Sequence, residues 1–394
     1  MIRPAAFLIT TCLAACGLAD GTWTMHVIDD GSRGADGVRL GDVDRDGRLD
    51  IATGWEEGGR IRVCFQPASA GLRDRWPSIQ VGRVGSPEDA VFADVNSDGW
   101  LDVVSSCEGG QQTIFFHLSP GHSASRVHDP DLWQTVPLKE SQQVTRWMFC
   151  EPLSDGRLMF GSKNPGGRIS DWQSGDRSEG EFRLLRPSGW IMSLRQFDID
   201  GDGDQDVVYS DRKGGHRGVG WLERRTRDGV VRWADHALGG QGLEVMFVDV
   251  ASIAERPTVV CNTRNGVVLS LTPGVDLAEP WHSRQIGHPA GVGGGKGVAV
   301  GDLDNDGHPD IACTCEHAAE KVGVYWLKNP GAMKQDRDQR PAIQTWQFQD
   351  ISGLRGVKFD RVELLDLDRD GDLDLLTCEE RENLGVIWFE NPLN

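Results

Sequence analysis

At 394 residues the chain is long enough for one large core or two smaller ones, and its net charge of -19 comes without a basic stripe, which argues against DNA or RNA as partners. Glycine supplies 50 residues and long helical periodicity is absent, so the chain is expected to be all-β, with many short strands and turns.

In chain order, the N-terminus reads as an export signal. Arg3 precedes an apolar stretch from Ala5 to Ala15 that is too short to span a bilayer. Leu13-Ala14-Ala15-Cys16 has the form of a lipobox, with cleavage before Cys16 and lipidation of its thiol; Gly17-Leu18-Ala19 is a competing cleavage site. Residues 1–19 are thus assigned to a signal peptide and 20–394 to one domain. The protein is expected outside the cytoplasm, as a bacterial lipoprotein or a periplasmic, cell-surface or secreted protein. Any membrane contact would run through the lipid anchor. Seven cysteines remain, and five of them (Cys107, Cys261, Cys313, Cys315 and Cys378) fall on or beside predicted strands. Small buried thiols fit them better than a disulfide framework.

A nine-residue phrase then recurs five times. It runs Asp42-Val-Asp44-Arg-Asp46-Gly47-Arg48-Leu-Asp50, then Asp94-Val-Asn96-Ser-Asp98-Gly99-Trp100-Leu-Asp102, then Asp198-Ile-Asp200-Gly-Asp202-Gly203-Asp204-Gln-Asp206. Asp302-Leu-Asp304-Asn-Asp306-Gly307-His308-Pro-Asp310 and Asp366-Leu-Asp368-Arg-Asp370-Gly371-Asp372-Leu-Asp374 complete the set. Side-chain oxygens at positions 1, 3, 5 and 9 converge on one hard cation, position 7 adds a backbone carbonyl, and glycine at position 6 permits the turn. An EF-hand would carry Glu at position 12, where this chain has Thr53, Ser105, Tyr209, Cys313 and Thr377. An apolar β-rich run follows each loop, so each loop enters a strand. Up to five structural Ca²⁺ ions are expected.

Loop starts are 52, 104, 104 and 64 residues apart, so two units have lost the phrase. Glu151-Pro-Leu-Ser-Asp155-Gly156 and Asp249-Val-Ala-Ser are read as their remnants. Seven units of about fifty residues have the period of propeller blades. Trp76, Trp133, Phe182, Trp233, Trp281 and Trp346 lead six outer strands, and Phe65, Phe116, Trp172, Trp221, Trp326 and Trp388 mark third strands. The seventh outer strand is missing at the C-terminus. Residues 23–28 are therefore predicted to supply the fourth strand of the last blade and close a seven-bladed β-propeller of four-stranded blades. The long insertions, 119–131 and 329–344, would join third to fourth strands.

The loop, set between strands at blade spacing, resembles the FG-GAP/VCBS repeat proteins, whose relatives include integrin α-subunit propellers and seven-bladed fungal lectins. The resemblance covers residues 23–394 and implies the propeller fold with structural calcium. It does not carry integrin function, and the FG and GAP signatures themselves are absent.

Strand alternation puts the Asp-rich loops on one face. The opposite face carries the starts of the innermost strands: Asp36, Glu88, Asp89, Arg146, Trp147, Glu244, Lys296, Asp360 and Arg361, with Trp190, Met192 and Arg195 in blade four. Second-to-third connections add Glu56, Glu57, Glu108, Lys163, Asp211, Arg212, Lys213, Arg264, Glu316, His317, Glu379, Glu380 and Arg381. These are either solvated charges at a tunnel mouth or the lining of a polar axial pocket. Mixed charge beside Trp147 and Trp190 suits a polyhydroxylated ligand, a glycan before a protein surface. The alternative is a lyase or sugar dehydratase, with His317, His216 or Tyr209 as base and Arg146, Arg212, Lys213 or Arg264 neutralising a carboxylate. No GxSxG, HExxH or phosphate-cradling loop occurs.

Overall fold

The computed structural model describes residues 22–173, 180–331 and 346–393. The expected signal peptide and the lipidated Cys16 lie outside the described residues, as does the second insertion from residue 332 onward. Seven antiparallel four-stranded sheets are present. Their innermost strands are Ala35–Gly41, Pro87–Ala93, Arg146–Pro152, Ile191–Phe197, Val245–Ile253, Gly294–Gly301 and Phe359–Leu365, for blades one to seven. Each packs against the next, and the seventh packs against the first. Among the described residues helix is confined to short connections such as Ala124–Val127, in the 119–131 insertion.

Ring closure is as the sequence predicts. Thr24–Asp29 pairs antiparallel with Gly385–Glu390, so the two ends of the chain form one sheet. Two side-chain bonds and one backbone bond fasten the seam to blade one. Arg62 Nε donates to Asp29 at 2.6 Å, Arg73 Nη2 to Glu390 at 2.6 Å, and Trp76 N to Ile28 O at 3.0 Å.

The core sits between the blades. Seven apolar clusters each join two neighbouring sheets, and the aromatic residues that mark the strands fill them. Trp388 is fully buried between blades seven and one, with His26 stacked on it at 4.7 Å. Several tryptophans satisfy their indole N–H by bonding backward along the chain, Trp76 to Leu72 O at 3.1 Å and Trp133 to Val127 O at 2.8 Å. The seven described cysteines are buried and free.

Every innermost strand carries a register irregularity near its start, between Asp36 and Arg39 in blade one and at the matching place in the other six. Such a bulge turns one side chain out of the pleat. Here that side chain faces the axis. The residues facing the axis are Glu88, Met148, Met192, Met246, Lys296 and Asp360 at the bulge, and in blade one Asp36, which pairs with Gly54 immediately before it.

In the five blades with an intact loop this residue stands six before loop position 1. Blades three and five break the expected alignment by three residues. Glu151 and Asp249 are therefore not loop remnants. They lie within the innermost strands, one layer deeper along the axis than Met148 and Met246. In blade five a two-residue hairpin, Ala254 and Glu255 with φ of 50° and 61°, replaces the loop. In blade three Asp155 is held by Arg157 at 3.0 Å and Arg224 at 2.7 Å.

Replacing Trp388 by alanine is expected to cost about 3–5 kcal/mol in urea unfolding, the usual range for a fully buried tryptophan. Deleting residues 22–29 should lower Tm further still, because it exposes the edge of Gly385–Glu390; a truncated protein that melts like the parent would contradict ring closure through this strand.

Candidate functional site

The Asp-rich loops lie on one face, between first and second strands. In blade one the position-1 carboxylate of Asp42 accepts the N–H groups of Asp46 and Gly47, both at 3.0 Å. Asp94, Asp302 and Asp366 repeat this, and Asp198 accepts from Gly201 and Gly203. The turn needs left-handed backbone at position 6, where Gly47 has φ 83° and open space around it. Conformation, not crowding, demands glycine there. Position 5 accepts the N–H of position 7, as Asp46 does from Arg48 at 2.9 Å and Asp98 from Trp100 at 2.8 Å; Asp204, His308 and Asp372 donate likewise.

Position 9 ties the loop to its blade. Asp50 accepts from Val43 N at 3.0 Å and from Gln66 N, just past the third strand, at 2.9 Å. Asp102, Asp206, Asp310 and Asp374 make the same two bonds in their own blades. Burial, and then the neighbouring loop carboxylates, push Asp50, Asp102, Asp206 and Asp374 up to about 7 and Asp310 to about 6.

These donors fit a hard cation. Asp42, Asp44 and Asp50 bring carboxylate oxygens within 4.8 Å of one another, as do Asp198, Asp200 and Asp206, and Asp302, Asp304 and Asp306. Basic side chains also reach the loop carboxylates. His128 reaches Asp44 at 2.8 Å, Arg73 reaches Asp368 at 2.7 Å, and Lys328 pairs with Asp304.

The opposite face opens into an axial cavity of about 230 Å³. Six blades line it. Asp36, Glu56, Glu88 and Glu108 stand on one side, Lys163, Trp190 and Arg212 on another, and Lys296, Glu316, Lys358, Asp360, Glu380 and Arg381 close the circle. Met148, Phe149 and Met192 supply an apolar wall, continued by Met246 and Phe247. Lys296 is paired with Asp360; burial opposes the charge on Asp360, but this lysine holds the carboxyl down at about 2.

Below this layer, ion pairs plug the tunnel. Arg39 of blade one bonds Asp89 at 2.9 Å and Glu151 of blade three at 3.2 Å. Arg195 of blade four approaches Asp249 at 3.8 Å and reaches Glu363 of blade seven at 3.1 Å. Blades four and seven are not neighbours, so the latter pair crosses the axis. The cavity is therefore blind and opens only on the face away from the Asp-rich loops.

Of the residues expected on this face, Asp36, Glu56, Glu88, Glu108, Lys163, Trp190, Met192, Arg212, Lys296, Glu316, Asp360, Glu380 and Arg381 line the cavity. The others do not. Trp147 is fully buried between blades two and three, with its N–H on Ser141 O, and touches no ligand space. Arg146 and Glu244 were expected at the axis; Met148 and Met246, two residues further along, stand there instead. Asp89 and Arg361 belong to the buried plug. Asp211 accepts the N–H groups of Gly189 and Trp190, and Glu379 those of Val357, Lys358, Arg381, Glu382 and Leu384, so both carboxylates hold loops. Lys213 is exposed and sits over the Trp190 ring at 4.9 Å, which Lys163 and Arg212 also approach, at 4.4 and 4.5 Å. Arg264 and His317 are 3.0 Å apart outside the cavity lining.

Tyr209 and His216 lie elsewhere, in a cleft of about 680 Å³ with Arg186, Arg217 and Asp235. Tyr209 donates to Asp235 there at 2.6 Å. Among the axial lining residues there is no histidine or tyrosine. Met192 was expected here, but Met148 and Met246 were missed because they carry no motif, and only the offset of six residues could have found them.

Because the position-9 aspartates have raised pKa values, the unfolded chain loses these protons first as pH rises from about 4, while the folded chain keeps them to about 7. In chelator, their contribution to stability should therefore fall as pH rises through this window. Thermal melts of wild type against Asp102→Asn, neutral at every pH, measure it: the variant should show a shallower fall.

A family model described as an FG-GAP-like repeat matches residues 42–105 and 302–377, two stretches that each contain Asp-rich loops. No curated protein matches the chain in sequence. Solved structures share the fold at low identity. Virginiamycin B lyase from Staphylococcus aureus is similar with a TM-score of 0.55 and 11% identity, over 93% of this chain and 97% of that one. YCF48 from Cyanidioschyzon merolae gives 0.54 and 10%, over 95% and 100%. BBS1N, in its complex with ARL6DN, gives 0.52 and 10%, over 95% and 97%. The matched repeats and the seven closed blades together make this chain an FG-GAP-repeat β-propeller.

Proposed function

We propose that this protein is an exported, calcium-stabilised propeller that binds a polyhydroxylated ligand, a glycan end or a free sugar, in the blind axial cavity. The observation that carries the reading is the lining itself. Carboxylates and cations from six blades converge on one small space closed below by ion pairs. Carboxylates accept hydrogen bonds from ligand hydroxyls, and Lys163 and Arg212 donate them. An apolar methionine and phenylalanine wall covers C–H faces. Recognition does not rest on stacking against Trp190, whose ring is engaged by three cations.

A lyase acting at the axis is the weaker reading. The Tyr209 and His317 it would use as bases are not in the cavity lining. The lyase among the similar structures shares the fold at 11% identity, which carries no chemistry across.

Calcium enters as a folding ligand. It binds the native loops and not the unfolded chain, so a concentration 100-fold above Kd adds about 2.7 kcal/mol for each site. Chelation should lower Tm and calcium should restore it; an unchanged Tm would remove structural calcium from the reading. For the cavity, a glycan array followed by calorimetry is the test. Arg212→Ala should weaken the best ligand at least tenfold, whereas Arg225→Ala, on the outer rim of blade four, should leave it unchanged. Absence of any glycan or polyol binding by the folded protein would overturn the assignment.

A further inference from the structure

The acids of the axial cavity divide into two groups. Glu108 is paired with Lys163, Asp360 with Lys296 and Glu380 with Lys358, while Glu316 lies 3.2 Å from Arg264. Asp36, Glu56 and Glu88 have no such base. Among the described residues no lysine or arginine lies within ion-pair distance of these three carboxyls, and no N–H donates to them. Asp36 and Glu88 are nonetheless more than nine-tenths buried and both face the cavity. Each has another carboxyl as its hydrogen-bond partner, Asp36 with Asp360 and Glu88 with Glu108, so a proton or a cation must lie between the oxygens of each pair. Burial and these neighbours push both well above the usual carboxylate range. Buried carboxyls without counter-charge are costly to keep ionised unless a cation joins them.

The three acids without a base fall in two overlapping clusters. Oxygens of Asp36, Glu56 and Glu380 lie within 4.8 Å of one another, and so do those of Glu56, Glu88 and Glu108, with Glu56 common to both sets. We infer that the axial cavity holds a divalent cation between Asp36, Glu56 and Glu88, distinct from the ions of the Asp-rich loops. The donors are all carboxylate oxygens, with no imidazole or thiolate, which selects a hard ion such as calcium, magnesium or manganese. The innermost strands of blades one and two deliver Asp36 and Glu88, and the second-to-third connection of blade one delivers Glu56. The ion would sit on the wall of the cavity with its open side toward the mouth. Given the proposed ligand, paired hydroxyls of a sugar would complete its coordination; that half of the inference rests on the glycan reading, and the cation itself does not.

The experiment counts bound ions by equilibrium dialysis against Ca²⁺ alone, with no sugar present, and repeats the count with Mn²⁺. The double variant Glu56→Gln/Glu88→Gln should hold one ion fewer than wild type with an unchanged circular dichroism spectrum. Asp42→Asn/Asp44→Asn should lose its own loop ion independently of the axial change. Equal counts for wild type and the axial variant would overturn the inference. Should the double variant not fold, Glu56→Gln alone must weaken the axial site at least tenfold, and an unchanged affinity overturns the inference equally. Glycan binding is measured separately. An extra ion without any sugar binding fails the functional reading only, and sugar binding with no axial ion fails this inference only.

Discussion

Everything in this molecule depends on one stretch of hydrogen-bonded backbone, the pairing of Thr24–Asp29 with Gly385–Glu390. A ring of sheets has no stable shape while one seam is open, because the last blade would expose an unpaired strand edge and the apolar face of Trp388. Joining the two ends buries that face, and the polar latches Arg62–Asp29 and Arg73–Glu390 fix the blades on either side of the seam. The axial cavity exists only because the ring is complete: its lining comes from both sides of that seam, Asp36 from blade one and Asp360 from blade seven.

The two faces divide the work by charge and backbone. On one, five acidic loops use their own amides to hold their carboxylates, and the ninth-position aspartate couples each loop to the end of the third strand in the same blade. Order in the loop and order in the blade are thereby one property. On the other face, each innermost strand turns a side chain into the axis at or beside its bulge. The same geometric device therefore delivers an acid, a lysine or a methionine, according to which residue the sequence places there.

Charge in the tunnel is organised in two layers with different roles. The deeper layer is a set of ion pairs: Arg39 with Asp89 and Glu151, Arg195 with Asp249 and Glu363, and Arg361 with Glu363. Buried ions in that layer are compensated and serve to block the tunnel. The upper layer is not closed. Its acids outnumber the bases that reach them, and the surplus is concentrated at Asp36, Glu56 and Glu88. A surplus of that kind beside open space is what separates a binding site from a structural ion-pair network.

The sequence by itself determined the seven blades, the four-stranded sheets, the N-terminal strand in the last blade and the face on which the Asp-rich loops lie. Those features follow from local chemistry repeated at a fixed period, so each copy corroborates the others. It also placed Asp36, Glu88, Lys296 and Asp360 at the axis, since an intact loop fixes the register of the strand before it. Only the tertiary structure decided blades three and five. Their loops are shortened, and without an intact loop nothing local fixes register, so an error of two residues exchanged Met148 for Arg146 and Met246 for Glu244. Burial likewise decided Trp147, which no spacing rule distinguishes from an exposed ring, and packing between blades moved Tyr209 and His216 into a cleft of their own. Which acids have a base within reach is a matter of distance across the ring, between residues from different blades, and no linear pattern records it.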